Sequence, residues 1–110
     1  MFGKLRKIFD KKLKRSLNKK DINKNELKRM LQDGAILVDV RSPQEYREGH
    51  LEGAILIPEY EITSKHSKIF ESKDETIILY CSNGLRSKKA QRKLEKLGYT
   101  SVYNLVNDLK

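Results

Sequence analysis

The chain has 110 residues, 24 Lys or Arg against 15 Asp or Glu, and 37% hydrophobic residues, which bounds it at one small domain. Its longest apolar run, Ile77 to Cys81, falls far short of the roughly 20 residues that a membrane-crossing helix needs. One cysteine and no tryptophan exclude an internal disulfide scaffold, and two histidines with that cysteine do not complete a four-ligand structural zinc site, so neither a metal nor a cofactor is expected.

The opening MFGKLRKIFDKK is basic but lacks the apolar stretch and cleavage site of a secretory signal, so a cytoplasmic location is expected. Residues 1–20 hold nine Lys or Arg against Asp10 alone, while the rest of the chain is nearly neutral. The composition break near Asp21 divides a basic arm, 1–20, from a domain, 21–110. Phe2, Leu5, Phe9, Leu13 and Leu17 recur at intervals of three or four, which predicts an amphipathic helix. Three readings of the arm stand at this point. It lies peripherally on an anionic membrane or a partner surface, it packs on its own domain or solubilises it, or it meets nucleic acid, although interleaved aromatic platforms are absent.

Asp21 to Asn23 is expected as a short strand, and Asn23 with Glu26 as a capping box opening a helix whose apolar face is Leu27, Met30 and Leu31 and which ends at Gly34. Ala35 to Val40 has the composition of a strand buried on both faces of a parallel sheet. Ser42-Pro43-Gln44-Glu45 is a second capping box with proline at the first helical position, and Gly49 stops that helix. Ala54 to Ile57 is a strand closed by Pro58, and Ile62 to Phe70 is ambiguous, with Ile62, Ile69 and Phe70 as anchors of a short helix. Thr76 to Tyr80 is the clearest strand. Arg86 to Leu97 is a helix with Ala90, Leu94 and Leu97 inward and Gly98 in the left-handed position after it. Ser101 to Leu105 is the last strand. This alternation predicts an α/β fold, a parallel sheet of about five strands with helices on both faces, whose site forms at the carboxyl ends of the strands.

At that edge lie Asp39 to Arg41, Pro58 and the loop Cys81-Ser82-Asn83-Gly84-Leu85-Arg86-Ser87. A short strand-to-helix loop containing Asn and Gly curls so that backbone N–H groups converge on an anion, reinforced by the positive end of the following helix. Cys81 at its centre is then held toward the thiolate, Arg86 adds a fixed charge for an oxyanion, and Ser82 and Ser87 offer hydroxyls. A cysteine after an apolar strand is by itself most often a small buried hydrophobe. A structural cysteine, however, needs neither the Gly-containing turn nor the arginine and helix start behind it.

Asp39-Val40-Arg41-Ser42 with Glu45, then Gly49-His50-Leu51-Glu52-Gly53-Ala54, then the Cys81 to Ser87 loop and Gly98-Tyr99 resemble, in order and spacing, a single-domain rhodanese over residues 21–105. The resemblance implies a rhodanese-like fold and a sulfurtransferase. Cys81 would take sulfane sulfur from a donor such as thiosulfate as a persulfide and pass it to cyanide or a thiol. Four residues separate Cys81 from Arg86, whereas the family's phosphatase relatives carry one more, so the loop resembles the one that cradles sulfur. With no second cysteine, the persulfide needs an external acceptor, a small thiol, cyanide or an acceptor protein. The resemblance further implies that Asp39 and Arg41 brace the site, that His50 is bonded away from the sulfur, and that Gly53 and Ala54 serve close backbone approach; His66 has no motif around it. Two departures stand out. Relatives follow the last strand with a Gly-Gly turn and a further helix where this sequence reads Val106-Asn107-Asp108-Leu109-Lys110, and many have Asn where Leu56 stands. An altered pocket wall, open to larger acceptors, is expected. The competing expectation is a non-catalytic interaction module that keeps the fold and is tethered by its basic arm.

Overall fold

The computed structural model describes residues 20–63, 70 and 72–106. The expected arm helix, the middle of the ambiguous Ile62–Phe70 segment with Ile69 and His66, and residues 107–110 lie outside the described residues. Five strands form one parallel sheet: β1 (Asp21–Ile22), β2 (Ile36–Asp39), β3 (Ile55–Leu56), β4 (Ile77–Tyr80) and β5 (Val102–Leu105), in the order β1-β5-β4-β2-β3. The connections are α1 (Lys24–Gln32), α2 (Pro43–Glu48), a 3-10 turn at Glu59–Glu61 and α3 (Leu85–Lys96).

Both capping boxes form. Asn23 Oδ1 accepts from Glu26 N at 2.9 Å while Glu26 Oε1 accepts from Asn23 N at 3.0 Å, and Ser42 with Glu45 repeats the exchange at the start of α2. This reciprocal use of the first orphan donors shortens β1 by one residue, because Asn23 turns its side chain to the helix instead of pairing with β5. The strands expected over Ala35–Val40 and Ala54–Ile57 are likewise trimmed to their paired centres. The first ordered structure after β3 is the 3-10 turn, where Lys93 of α3 reaches both the carboxylate and the carbonyl of Glu59, the latter at 3.0 Å.

Alternation along the strands sorts the core into two layers. Leu37, Ile78 and Tyr80 face the side covered by α1 and α2, where Leu27, Met30, Leu31 and Tyr46 pack on them. Val38, Ile77, Leu79 and Cys81 face the other side, against Ala90, Leu94 and Val102. Helices therefore cover both faces, as the alternation predicts. The central strand β4 is buried along its whole length, and Cys81 continues its α3-facing row by one residue. Among the described residues no helix is long and apolar enough to cross a membrane.

Leu94, 2% exposed in the α3 layer, tests this packing. Leu94→Ala should cost about 2–5 kcal/mol, read as a lower urea midpoint at unchanged denaturant slope.

Candidate active site

β4 delivers Cys81 to the carboxyl edge of the sheet, 4% exposed, and the chain turns at once into α3. The turn needs Gly84 at φ +85°, ψ −12°, a left-handed conformation that other residues adopt at a cost. A Cβ there would meet no atom within 4 Å, so the demand is on backbone conformation and not on space. Asn83 Oδ1 accepts from Leu85 N at 3.0 Å and fixes the curl. In this shape Gly84 N and Ser87 N both donate to Cys81 Sγ, at 3.0 and 3.3 Å. Ser87, fully buried, lies with its Oγ 3.6 Å from the sulfur and 3.2 Å from Gly84 O, either of which its one proton can serve.

Two effects compete at this sulfur. Burial pushes the Cys81 thiol up, and hydrogen bonds from the Ser87 hydroxyl, the Ser87 amide and the amides of Asn83 and Gly84 pull it down; the bonds win, and the thiol sits below its ordinary range. The site begins a 12-residue helix, whose positive end adds to the same field.

Arg86, expected from the sequence as an oxyanion-holding charge, is paired with a carboxylate while its charge also acts on Cys81. Its guanidinium forks onto Glu45, Nη1 to Oε1 at 2.7 Å and Nη2 to Oε2 at 3.0 Å, and Nη2 also reaches Ser82 Oγ at 3.1 Å. The paired Arg86 ties the loop to the first turn of α2, since Glu45 Oε1 also accepts from Ser42 N and Ser42 Oγ, both at 3.0 Å. The Arg86 bonds, followed by those from Ser42, hold the Glu45 carboxyl down at about 2.

A second ion pair shapes the neighbouring wall. Asp39, 0% exposed, accepts from Arg41 N at 2.8 Å, from Arg41 Nε at 3.0 Å and from Nη2 at 2.8 Å. Arg41 Nη2 goes on to Gly49 O at 2.6 Å, and its guanidinium carbon lies 5.7 Å from the Tyr80 ring centroid. Tyr80 OH accepts from Leu51 N at 2.9 Å; desolvation, the largest influence on this phenol, pushes it up to about 12, which keeps it neutral. Arg41, Gly49, His50, Leu51, Tyr80, Cys81 and Ser82 line an open pocket of about 200 Å³.

Of the residues that the sequence singles out, Cys81, Asn83, Gly84 and Ser87 meet at the sulfur, Arg86 is drawn to Glu45 and bonds Ser82, which lines the pocket, and Leu85 stands 71% exposed on the outside of the loop. Asp39 braces Arg41 as expected, and Arg41 also lines the pocket. His50 lines the pocket with its Nδ1 2.8 Å from Tyr46 O and its ring stacked on Tyr46 at 3.6 Å. Gly53 is needed for its φ of +83°, with nothing close to a built Cβ, so close approach is not its reason. Sequence reasoning names Glu45 as a helix cap and, with Leu51, as part of the family-like motifs, and Tyr80 as a strand residue, but assigns none of the three a place in the site. The available signal for Glu45 was its place on the first turn after β2, the strand that pairs with β4.

A family model described as the rhodanese-like domain matches residues 23–110. The chain is 40% identical over 76 residues to the uncharacterized protein YqhL of Bacillus subtilis, covering 69% of this chain and 59% of that one. It is 37% identical over 67 residues to the thiosulfate sulfurtransferase PspE of Escherichia coli, covering 61% and 64%. It thus spans less than two thirds of the length of these two relatives. Among solved structures it is similar to the human single-domain sulfurtransferase TSTD1, with a TM-score of 0.66 at 26% identity over 78% of this chain and 88% of that one. The BH2092 protein of Bacillus halodurans gives 0.71 at 30% identity, over 88% and 75%.

Two measurements test the site's electrostatics. Ser87→Ala removes one hydrogen bond to the sulfur, worth about 0.5–1.5 kcal/mol, so iodoacetamide alkylation of Cys81 at neutral pH should slow about 2- to 10-fold and its pH midpoint should rise. Glu45 has a depressed carboxyl, so its contribution to stability is present above its ordinary value of 4.5 and is lost as pH falls toward about 2. Glu45→Gln should erase that part of the acid limb, read as a flatter dependence of the thermal midpoint on pH across this window.

Proposed function

The chain belongs to the rhodanese-like domain family, and on that premise we propose that it is a sulfurtransferase whose Cys81 carries sulfane sulfur from a thiosulfate-like donor to cyanide or a thiol. The observation that carries this reading is a nearly buried sulfur accepting two backbone amides, at 3.0 and 3.3 Å, at the edge of a pocket of about 200 Å³. Such a pocket suits a small oxyanion better than a bulky substrate.

In the first step the Cys81 thiolate attacks the outer sulfur of thiosulfate. The donor's S–S bond breaks, sulfite leaves with its electron pair, and a persulfide remains on Cys81. In the second step cyanide or a thiolate attacks the outer sulfur. The Cys81–sulfur bond breaks, Sγ departs as thiolate, and the acceptor leaves as thiocyanate or as a new persulfide. Negative charge returns to Sγ as this bond breaks, so amides already aimed at it stabilise the transition state of transfer. Arg41, paired with Asp39 in the pocket wall, and Arg86, whose charge acts on Cys81, supply the cationic groups beside the sulfur.

Brief treatment with thiosulfate followed by desalting should add the mass of one sulfur atom to the wild type and none to Cys81→Ser, and cyanide should remove it as thiocyanate. A wild type that gains no sulfur from thiosulfate or from other persulfide donors would overturn the proposal.

A further inference from the structure

α3 carries six cations and one acid between Arg86 and Lys96. Three of the cations have acidic partners: Arg86 meets Glu45, Lys93 meets Glu59, and Lys88 lies 3.9 Å from Asp21. Lys89, Arg92 and Lys96 are exposed and have no acidic partner among the described residues. Their spacing of three and four places them on one helical stripe, and Leu85, four residues before Lys89, heads it. At about 1.5 Å per residue the stripe runs about 16 Å away from the sulfur-bearing loop. Like charges at these intervals repel and weaken the helix, so the arrangement costs stability. Leu85 adds a second cost, a large apolar side chain 71% exposed to water on the sulfur-bearing loop.

We propose that this face of α3, Leu85 followed by Lys89, Arg92 and Lys96, is the docking surface for the sulfur acceptor, a protein that presents its thiol beside an acidic patch. The inference rests on the sulfurtransferase reading and names the partner of that same site. Charge complementarity fixes the sign of the partner, and exposed Leu85, on the loop that follows Cys81, supplies an apolar anchor. The chemistry fixes the class. The chain has one cysteine, so the persulfide cannot be resolved within it and needs an external nucleophile; among macromolecules a protein cysteine supplies one, a thiolate that nucleic acids and phospholipids ordinarily lack. The transfer balances without an oxidant: the partner's thiolate forms a bond to the outer sulfur, the bond to Cys81 Sγ breaks with its electron pair left on Sγ, and the outer sulfur passes to the partner as a persulfide anion while Cys81 returns to thiolate.

The test uses the full chain loaded with thiosulfate, and Lys89→Gln, Arg92→Gln and Lys96→Gln combined. Acceptors are two hexapeptides with one cysteine each, one otherwise glutamate and one otherwise glutamine, with dithiothreitol as an uncharged small thiol. The triple variant should slow transfer to the glutamate peptide about fivefold or more, as expected for lost steering and docking, and leave the glutamine peptide and dithiothreitol unchanged. The difference should vanish near about 0.5 M salt, where the Debye length is only a few ångströms. An equal effect of the substitutions on both peptides, or no effect on either, would overturn the docking surface while successful loading leaves the sulfurtransferase standing. Failure of the wild type to load would overturn both. Binding of a labelled RNA oligonucleotide or of phosphatidylglycerol vesicles that falls in the triple variant, with the peptide rates unmoved, would assign the stripe to another class of polyanion and overturn the proposal too.

Discussion

A sulfur that is 4% exposed can carry negative charge only if something replaces the water it has lost. Here the replacement is backbone: the amides of Gly84 and Ser87 at hydrogen-bonding distance. Everything else in the site serves to keep those two groups aimed at one point. The left-handed Gly84 makes the turn, Asn83 pins it, and α3 holds Ser87 in the buried layer. Because the donors are main-chain groups, their aim is set by the fold itself, and no long side chain has to be ordered to provide it.

The surrounding carboxylates work outward from that centre. Asp39, buried at the end of β2, takes three donors of Arg41, and this leaves Arg41 stretched to Gly49 O, where it closes the pocket wall. Glu45 does the corresponding work for Arg86. A guanidinium is suited to both tasks because its planar fork meets a carboxylate on two bonds at once. Both arginines are thus paired with a carboxylate: Arg41 on Asp39 forms part of the pocket wall, and Arg86 on Glu45 holds the loop while its charge still acts on Cys81.

Much of this was legible in the sequence. The capping boxes at Asn23 and Ser42 marked the helix starts, because cap chemistry is local and needs no tertiary knowledge. Period and burial marked Ile77–Tyr80 as the central strand, and the turn of Cys81 to Ser87 announced a sulfur nest. What sequence could not supply was the far partner of each charged group. Arg86 reads as an anion binder until Glu45, 41 positions away, is brought against it, and Tyr80 reads as a core aromatic until Leu51 N finds its hydroxyl. Those pairings depend on which strands are neighbours and in what register, and they lie beyond any local pattern. Strand ends were overextended for a similar reason, since apolar runs continue past the last paired residue.

Glu45 is at once the third residue of one helix, the cap of its first turn and the anchor of the loop that begins another. The loop that carries the sulfur nest and the first turn of α2 are therefore braced by the same carboxylate. The conformational entropy of ordering the loop is spent when the chain folds, so a sulfur donor arriving at Cys81 meets donors that are already in place. Preorganisation of this kind lowers the cost of binding and of reaching the transition state, and it sits in a carboxylate that touches neither the sulfur nor the pocket.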